Sequence, residues 1–174
     1  PVPALRVACR PVDAGDPGPA TAGLLLRAQN RQGDLNLCEL LARAWTGNVV
    51  KNLPLCTWAW LQELNAGLIA LSGAQSGPVG QALVKCADDV AQELAQRLAP
   101  IYPQRFYLEL QRAGRPDDEA HVAAAAQLAA RLGLPVVATH PIQFATPDDH
   151  EAHEARVCIA EGEILANPRR VRRF

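Results

Sequence analysis

Beyond residue 22 the chain alternates short, unbroken apolar runs with longer stretches whose apolar residues recur every three or four positions. Apolar runs of four to eight residues bounded by turn residues predict buried strands. GLLLRAQN (23–30), GLIALSGA (67–74), RFYLEL (105–110) and the Pro135–Ala138 run inside LGLPVVATHPIQF (132–144) fit that description. The stretches between them read as helices. In GDLNLCELLARAWTG (33–47), Leu37, Leu40, Leu41 and Ala44 fall at offsets 0, 3, 4 and 7, with Asp34 or Asn36 as cap and Gly47 as stop. CTWAWLQELNAG predicts a short helix capped by Thr57. PVGQALVKCADDVAQELAQRLAPIYP predicts one long helix from near Pro78 to no further than Pro100. GRPDDEAHVAAAAQLAARLGLP predicts a helix capped by Asp117, with Val122, Ala125, Ala129 and Leu132 on one face and Gly133 as stop. TPDDHEAHEARVCIAEGE predicts another, with Thr146 as cap, Pro147 in the first helical position, Asp149 at capping-box distance and Gly162 as stop.

Apolar strands separated by helices predict parallel pairing and an α/β layered or barrel fold. RFYLEL, its following helix and VVATH form one βαβ unit, which brings Glu109 and His140 towards one rim. Residues 1–20, rich in Pro, Gly and Asp, predict a loop-rich lead-in or a poorly ordered hairpin region. Residues 21–174 then form a single domain, without an internal repeat, ending in the basic tail NPRRVRRF.

Composition narrows the possibilities. At 174 residues, 49% hydrophobic and 20% charged, the chain suits one globular core. A net charge of −1 gives no global field for nucleic acid or anionic membrane, so such binding needs a local patch. No apolar run approaches the roughly 18 residues of a membrane span, and no secretory signal is visible. Five scattered cysteines without a CxxC pair read as reduced cytosolic thiols rather than a disulfide or zinc framework, which places the protein in the cytoplasm. A chain that starts at Pro1 and lacks methionine reads as a piece of a longer polypeptide.

Candidate chemistry is sparse. His140 ends a strand, where α/β proteins place catalytic and metal-binding groups, but Pro141, Ile142 and Gln143 follow it and offer poor ligands. Closing the strand is the simpler role. HEAHE (150–154) fails the HExxH spacing, since Glu154 stands four residues after His150; a solvated helix start explains His150, His153 and Glu154. Arg169, Arg170, Arg172 and Arg173 are candidate phosphate contacts or a solvated connector. SGAQSGPVG (72–80) has neither GxxxxGK[ST] nor GxGxxG, and reads as a tight strand-to-helix turn.

FYLELQRAGRPDDEAHVAAAAQLAARLGLPVVATHPIQF and DDHEAHEARVCIAEGEILANPRRVRRF resemble the N-terminal PHP (polymerase and histidinol phosphatase) domain of bacterial DNA polymerase III alpha subunits. NLCELLARAW and ELNAGLIALSGAQSGPVGQAL resemble preceding parts of it, in the same order, so that the likeness covers about Thr21 to Phe174. The resemblance implies part of a distorted (βα)7-type PHP barrel with parallel strands and outer helices. It also implies a parent that synthesises DNA on a template, with Mg2+ held in a palm outside this segment, or the related error-prone polymerase. Metal-binding members carry ligands where this sequence has Trp45, Ala74, Pro141 and Gln143, so the resemblance implies a segment without metal, cofactor or catalytic residue. Its implied partners are the rest of the alpha subunit, the proofreading exonuclease subunit, and DNA through the parent, with no membrane. The alternative is a residual metal-dependent phosphoesterase using His140, His153, His150 and Glu109 with ligands from outside the segment.

Overall fold

The computed structural model describes residues 4–9, 22–50 and 53–167. In chain order it contains β1 (Ala4–Cys9), β2 (Ala22–Ala28), α1 (Arg31–Gly47), β3 (Val49–Val50), β4 (Leu53–Pro54), α2 (Trp58–Glu63) and β5 (Leu68–Leu71). A 3-10 turn (Ala74–Ser76), α3 (Pro78–Val84), α4 (Asp88–Leu98), β6 (Phe106–Gln111), α5 (Asp118–Leu132) and β7 (Val136–Thr139) follow. A second 3-10 turn (Pro147–Asp149) leads into α6 (His150–Glu161). The chain divides into two compact units, Pro1–Thr139 and His140–Phe174.

The first unit is built on a five-stranded sheet of order β1-β2-β5-β6-β7. Parallel pairing holds for β5–β6 and β6–β7, so the βαβ unit of β6, α5 and β7 forms as expected. It fails for β1–β2 and β2–β5, which are antiparallel. The sheet is therefore mixed, and among the described residues it is open, with β1 and β7 at its edges, rather than a closed barrel. β1 also lies inside the stretch whose composition reads as loop: Ala4–Cys9 pairs residue by residue with Arg27–Ala22.

Successive strand residues face opposite sides of a sheet, and here the two sides differ. Leu24, Leu26, Ala28, Leu68, Ala70, Phe106 and Leu108 point to one side and join the core with Leu37, Leu40, Leu61, Leu94, Leu98, Ala125 and Leu128 from the helices. The opposite side carries Leu25, Ile69, Tyr107 and Val137, all half-buried, and the polar Glu109, Gln111 and Thr139.

Helix starts follow hydrogen-bond supply more than periodicity. α1 begins two residues earlier than predicted because Asn30, not Asp34 or Asn36, caps it: Gly33 N donates to Asn30 Oδ1 at 3.0 Å. Asn36 faces inward instead, and its Nδ2 donates to Ala66 O at 2.8 Å. Thr57 caps α2 as predicted, accepting from Trp60 N. The long helix predicted from Pro78 breaks in two between Val84 and Asp88, where Cys86 takes φ +56°. Gly133 ends α5 in the left-handed conformation. β7 departs from the predicted burial: Val136 is 48% exposed, because as an edge strand it has a neighbour on one side only among the described residues.

In the second unit, the capping box forms as predicted. Thr146 and Asp149 bond reciprocally, Pro147 occupies the first turn, and Gly162 closes α6 with φ +70°.

Candidate functional site

The C-terminal ends of β5, β6 and β7 carry a polar cluster in the first unit. Its centre is Glu109, 3% exposed, on the sheet face opposite the helices. Gly73 N, just past β5, donates to Glu109 Oε2 at 3.1 Å. Gln111 Nε2 donates to Glu109 Oε1 at 3.1 Å and to Thr139 Oγ1 at 2.9 Å. Thr139 Oγ1, at the end of β7, donates to the same Glu109 Oε1. Ser72, also buried, accepts from Glu109 N through its Oγ at 2.9 Å. The parallel register puts Gln111 opposite Thr139, which is why these side chains meet.

A second polar group lies at the start of α5. Asp117 holds the N-cap position, but with φ +67° and no side-chain capping bond. Its neighbour Asp118 does the work expected of it. Asp118 Oδ2 accepts from Ala113 N at 2.7 Å and Arg115 N at 3.1 Å, and Oδ1 accepts from Gln75 Nε2 at 2.7 Å. Burial pushes the Asp118 carboxyl up, but the two backbone donors, with Arg115 and His121 nearby, more than offset this and leave it below its ordinary value. His121, one turn on, is 3% exposed, and its Nδ1 has no hydrogen-bond partner among the described residues. Burial pulls its pKa below the ordinary histidine value, against the opposing pull of Asp118 and Glu109.

Of the sequence-predicted positions in the first unit, Glu109 belongs to this cluster. Trp45 is 60% exposed in the last turn of α1. Ala74 is buried, with φ +46°, in the turn after β5. His140, Pro141 and Gln143 belong to the second unit; His140 and Gln143 are exposed, and Gln143 Nε2 donates to Pro141 O at 3.4 Å. His153 and Glu154 correct the expectation of a solvated helix start. Both are buried, with Arg156 Nη2 3.1 Å from His153 Nδ1 and the Phe144 ring 5.5 Å from the His153 ring. The half-buried His150 stands edge-on to Phe144 at 5.7 Å. Arg169, Arg170, Arg172 and Arg173 lie outside the described residues.

These donors fit a divalent ion poorly. Trp45, Ala74, Pro141 and Gln143 carry indole, methyl, pyrrolidine and amide groups, whereas zinc-type sites need imidazole, thiolate or carboxylate. Glu109 already accepts three hydrogen bonds. Among the described residues no three His, Cys, Asp or Glu side chains group to hold a metal. Chemically, the cluster is a clasp across three strand ends: a carboxylate held by one backbone and two side-chain donors.

Ser72, Gln111, Thr139, Asp118 and His121 were not singled out from the sequence as site residues. One signal was there. Tyr107, Glu109 and Gln111 alternate with Phe106, Leu108 and Leu110, the period of a strand with one polar face.

A parallel βαβ arrangement with polar residues gathered at strand ends defines an α/β scaffold of the kind that binds ligands or partners at that rim. The sequence pattern of the PHP domain matches residues 9–113, more than half the chain, and the chain belongs to the PHP domain family. It is similar to proteins named DNA polymerase III subunit alpha. Identity is 48% over 160 residues with that of Neisseria meningitidis serogroup A, 42% over 151 with that of Pseudomonas aeruginosa, and 40% over 151 with that of Escherichia coli K12. These alignments cover 87–90% of this chain but only 13–14% of each relative's length.

Proposed function

We propose that this chain is the PHP region of a DNA polymerase III alpha subunit, part of a cytoplasmic enzyme that extends DNA on a template. The observation that carries this is the 40–48% identity, over nearly the whole chain, to proteins of that name. Within the parent, the region is a metal-free brace for the polymerase core and a docking surface for the proofreading exonuclease subunit. Mg2+ belongs to the parent's palm and DNA to its cleft. The state of Glu109 supports the metal-free part. A carboxylate that already accepts from Gly73 N, Gln111 and Thr139 has three of its about four acceptor sites taken, so an ion would compete with those bonds.

Metal analysis of the purified full-length parent tests this. The expected result is no zinc or manganese beyond trace that survives dialysis, and no phosphoesterase or pyrophosphatase turnover sensitive to EDTA. Stoichiometric metal, or EDTA-sensitive turnover lost in His140→Ala, overturns the brace in favour of a residual phosphoesterase. Pull-down of the exonuclease subunit by the parent, and its loss when this region is deleted, tests the docking role.

A further inference from the structure

His121 is the feature that the proposed function leaves unused. It stands on the inward face of α5 with Asp118, Ala125, Leu128 and Ala129, in a stripe whose other members are carboxylate or hydrocarbon. An imidazole there is 3% exposed, with Nδ1 lacking a hydrogen-bond partner among the described residues. β6, α3 and the 74–76 turn make the main contacts with α5, and Asp88 at the start of α4 lines a cavity with Ala124, Gln127 and Arg131 of α5. Neither α3 (PVGQALV) nor the turn (AQS) contains a titratable residue. β6 contributes Tyr107 and Glu109, and the loop between β6 and α5 contributes Arg112, Arg115 and the exposed Asp117. Arg112 is exposed and paired with Glu119. On α5 itself Asp118 is the near charge. Both carboxylates within electrostatic reach, Asp118 and Glu109, have their oxygens bonded to other donors.

We propose that His121 is a pH-sensitive latch that holds the first turns of α5 and the 113–117 loop against the sheet only while its ring is neutral. A proton on this buried ring places a charge in a desolvated site whose near carboxylates already accept from other donors, and such burial is unfavourable. Opening the first turns of α5 hydrates the imidazolium. The same opening releases Asp118 from Ala113 N, Arg115 N and Gln75. The 113–117 loop follows closely on the strand that carries Glu109, so the latch ties local pH to the order of the segment leaving that strand.

The sign follows from burial. The closed form binds protons less readily than the open form. The latch is therefore at full strength above pH 6.5, the open-state value, and weakens as pH falls below it, by at most tenfold in the closing equilibrium per pH unit.

Hydrogen exchange of the full-length parent, read peptide by peptide at pH 7.5, 6.5 and 5.5 and corrected for intrinsic exchange rates, tests the latch. Peptides covering 113–125 are expected to lose protection by several-fold to tenfold between pH 6.5 and 5.5. Peptides within 36–44 of α1 hold theirs, and His121→Leu removes the pH effect at 113–125. An equal pH response in wild type and His121→Leu overturns the proposal. Should His121→Leu not fold, His121→Gln replaces it, and NMR titration of the His121 ring in the wild-type protein decides. A midpoint well below 6.5 supports the latch, and one at 6.5 or above sinks it.

Discussion

At the scale of single residues, what matters is which buried polar atoms are committed to partners. Glu109 is acceptor-only while ionised, and three donors converge on it. Glu109→Gln keeps the shape but turns one oxygen into an NH2 that faces Gln111 Nε2 in one orientation and Gly73 N in the other, donor against donor. Leaving a buried donor unmatched costs about 1–3 kcal/mol, and equilibrium denaturation is expected to register a loss in that range. Asp118→Ala strands Ala113 N and Arg115 N, while Gln75 Nε2 keeps Pro116 O, and belongs to the same range. Since the folded Asp118 carboxyl lies below its ordinary value, its contribution is present above about pH 4 and lost as pH falls through the folded value. The wild-type advantage over Asp118→Ala is therefore expected to shrink in acid denaturation curves below pH 4. Cysteines separate in the same way by burial. Cys56 lies buried against Leu40 O, its thiol pushed up to about 11 by burial, while Cys38 and Cys86 are exposed. Brief alkylation at pH 8 followed by peptide mapping is expected to modify Cys38 and Cys86 and spare Cys56.

At the scale of elements, the chain announced much of what it does. Strand and helix positions were legible because one apolar face repeats at period 2 or 3.6, and because Thr57, Thr146, Gly133 and Gly162 are the residues that caps and stops require. The failures have local physical causes. The break at Cys86 was hidden because Lys85, Cys86 and Ala87 contain no glycine or proline to mark it. β1 was hidden by surrounding Pro and Gly, and its antiparallel pairing with β2 is a long-range fact that spacing does not encode. The polar clasp was half legible: its alternation is in the sequence, but the meeting of Gly73, Glu109 and Thr139 needs the register. Two backbone positions give opposite tests. Cys86→Gly relieves a side chain held at φ +56°, and a gain of about 0.5–1 kcal/mol in thermal unfolding is expected after the added flexibility of the unfolded chain is subtracted. Gly33→Ala would normally strengthen a helix by up to about 1 kcal/mol. Here a Cβ lands 1.9 Å from Gly67 O, a backbone atom that cannot swing aside. The expected result is a net loss of about 2 kcal/mol, by overpacking where α1 crosses the 64–67 turn.

At the scale of the whole molecule, the consequence is what an open sheet does in water. β7 pairs with β6 on one side, and among the described residues nothing pairs with its other side. Val136 is 48% exposed on the side that elsewhere forms the core, and Ala138 beside it is exposed as well. An exposed, uncharged edge strand of that composition invites pairing with another chain. A second copy of this chain can supply such a partner strand. The isolated 174-residue chain is expected to associate, with a weight-average mass in sedimentation that rises with concentration through the micromolar range. Val136→Lys places a charge on the edge without touching the β6–β7 hydrogen bonds, because it changes only a side chain that already faces solvent. It is expected to lower the association while leaving the circular dichroism spectrum unchanged. A wild-type chain that stays monomeric with a sharp, concentration-independent thermal transition contradicts the edge argument. So does a Val136→Lys variant that associates as strongly as wild type, and the contacts responsible would then have to be sought among other exposed apolar residues such as Trp45, Val49 and Leu53.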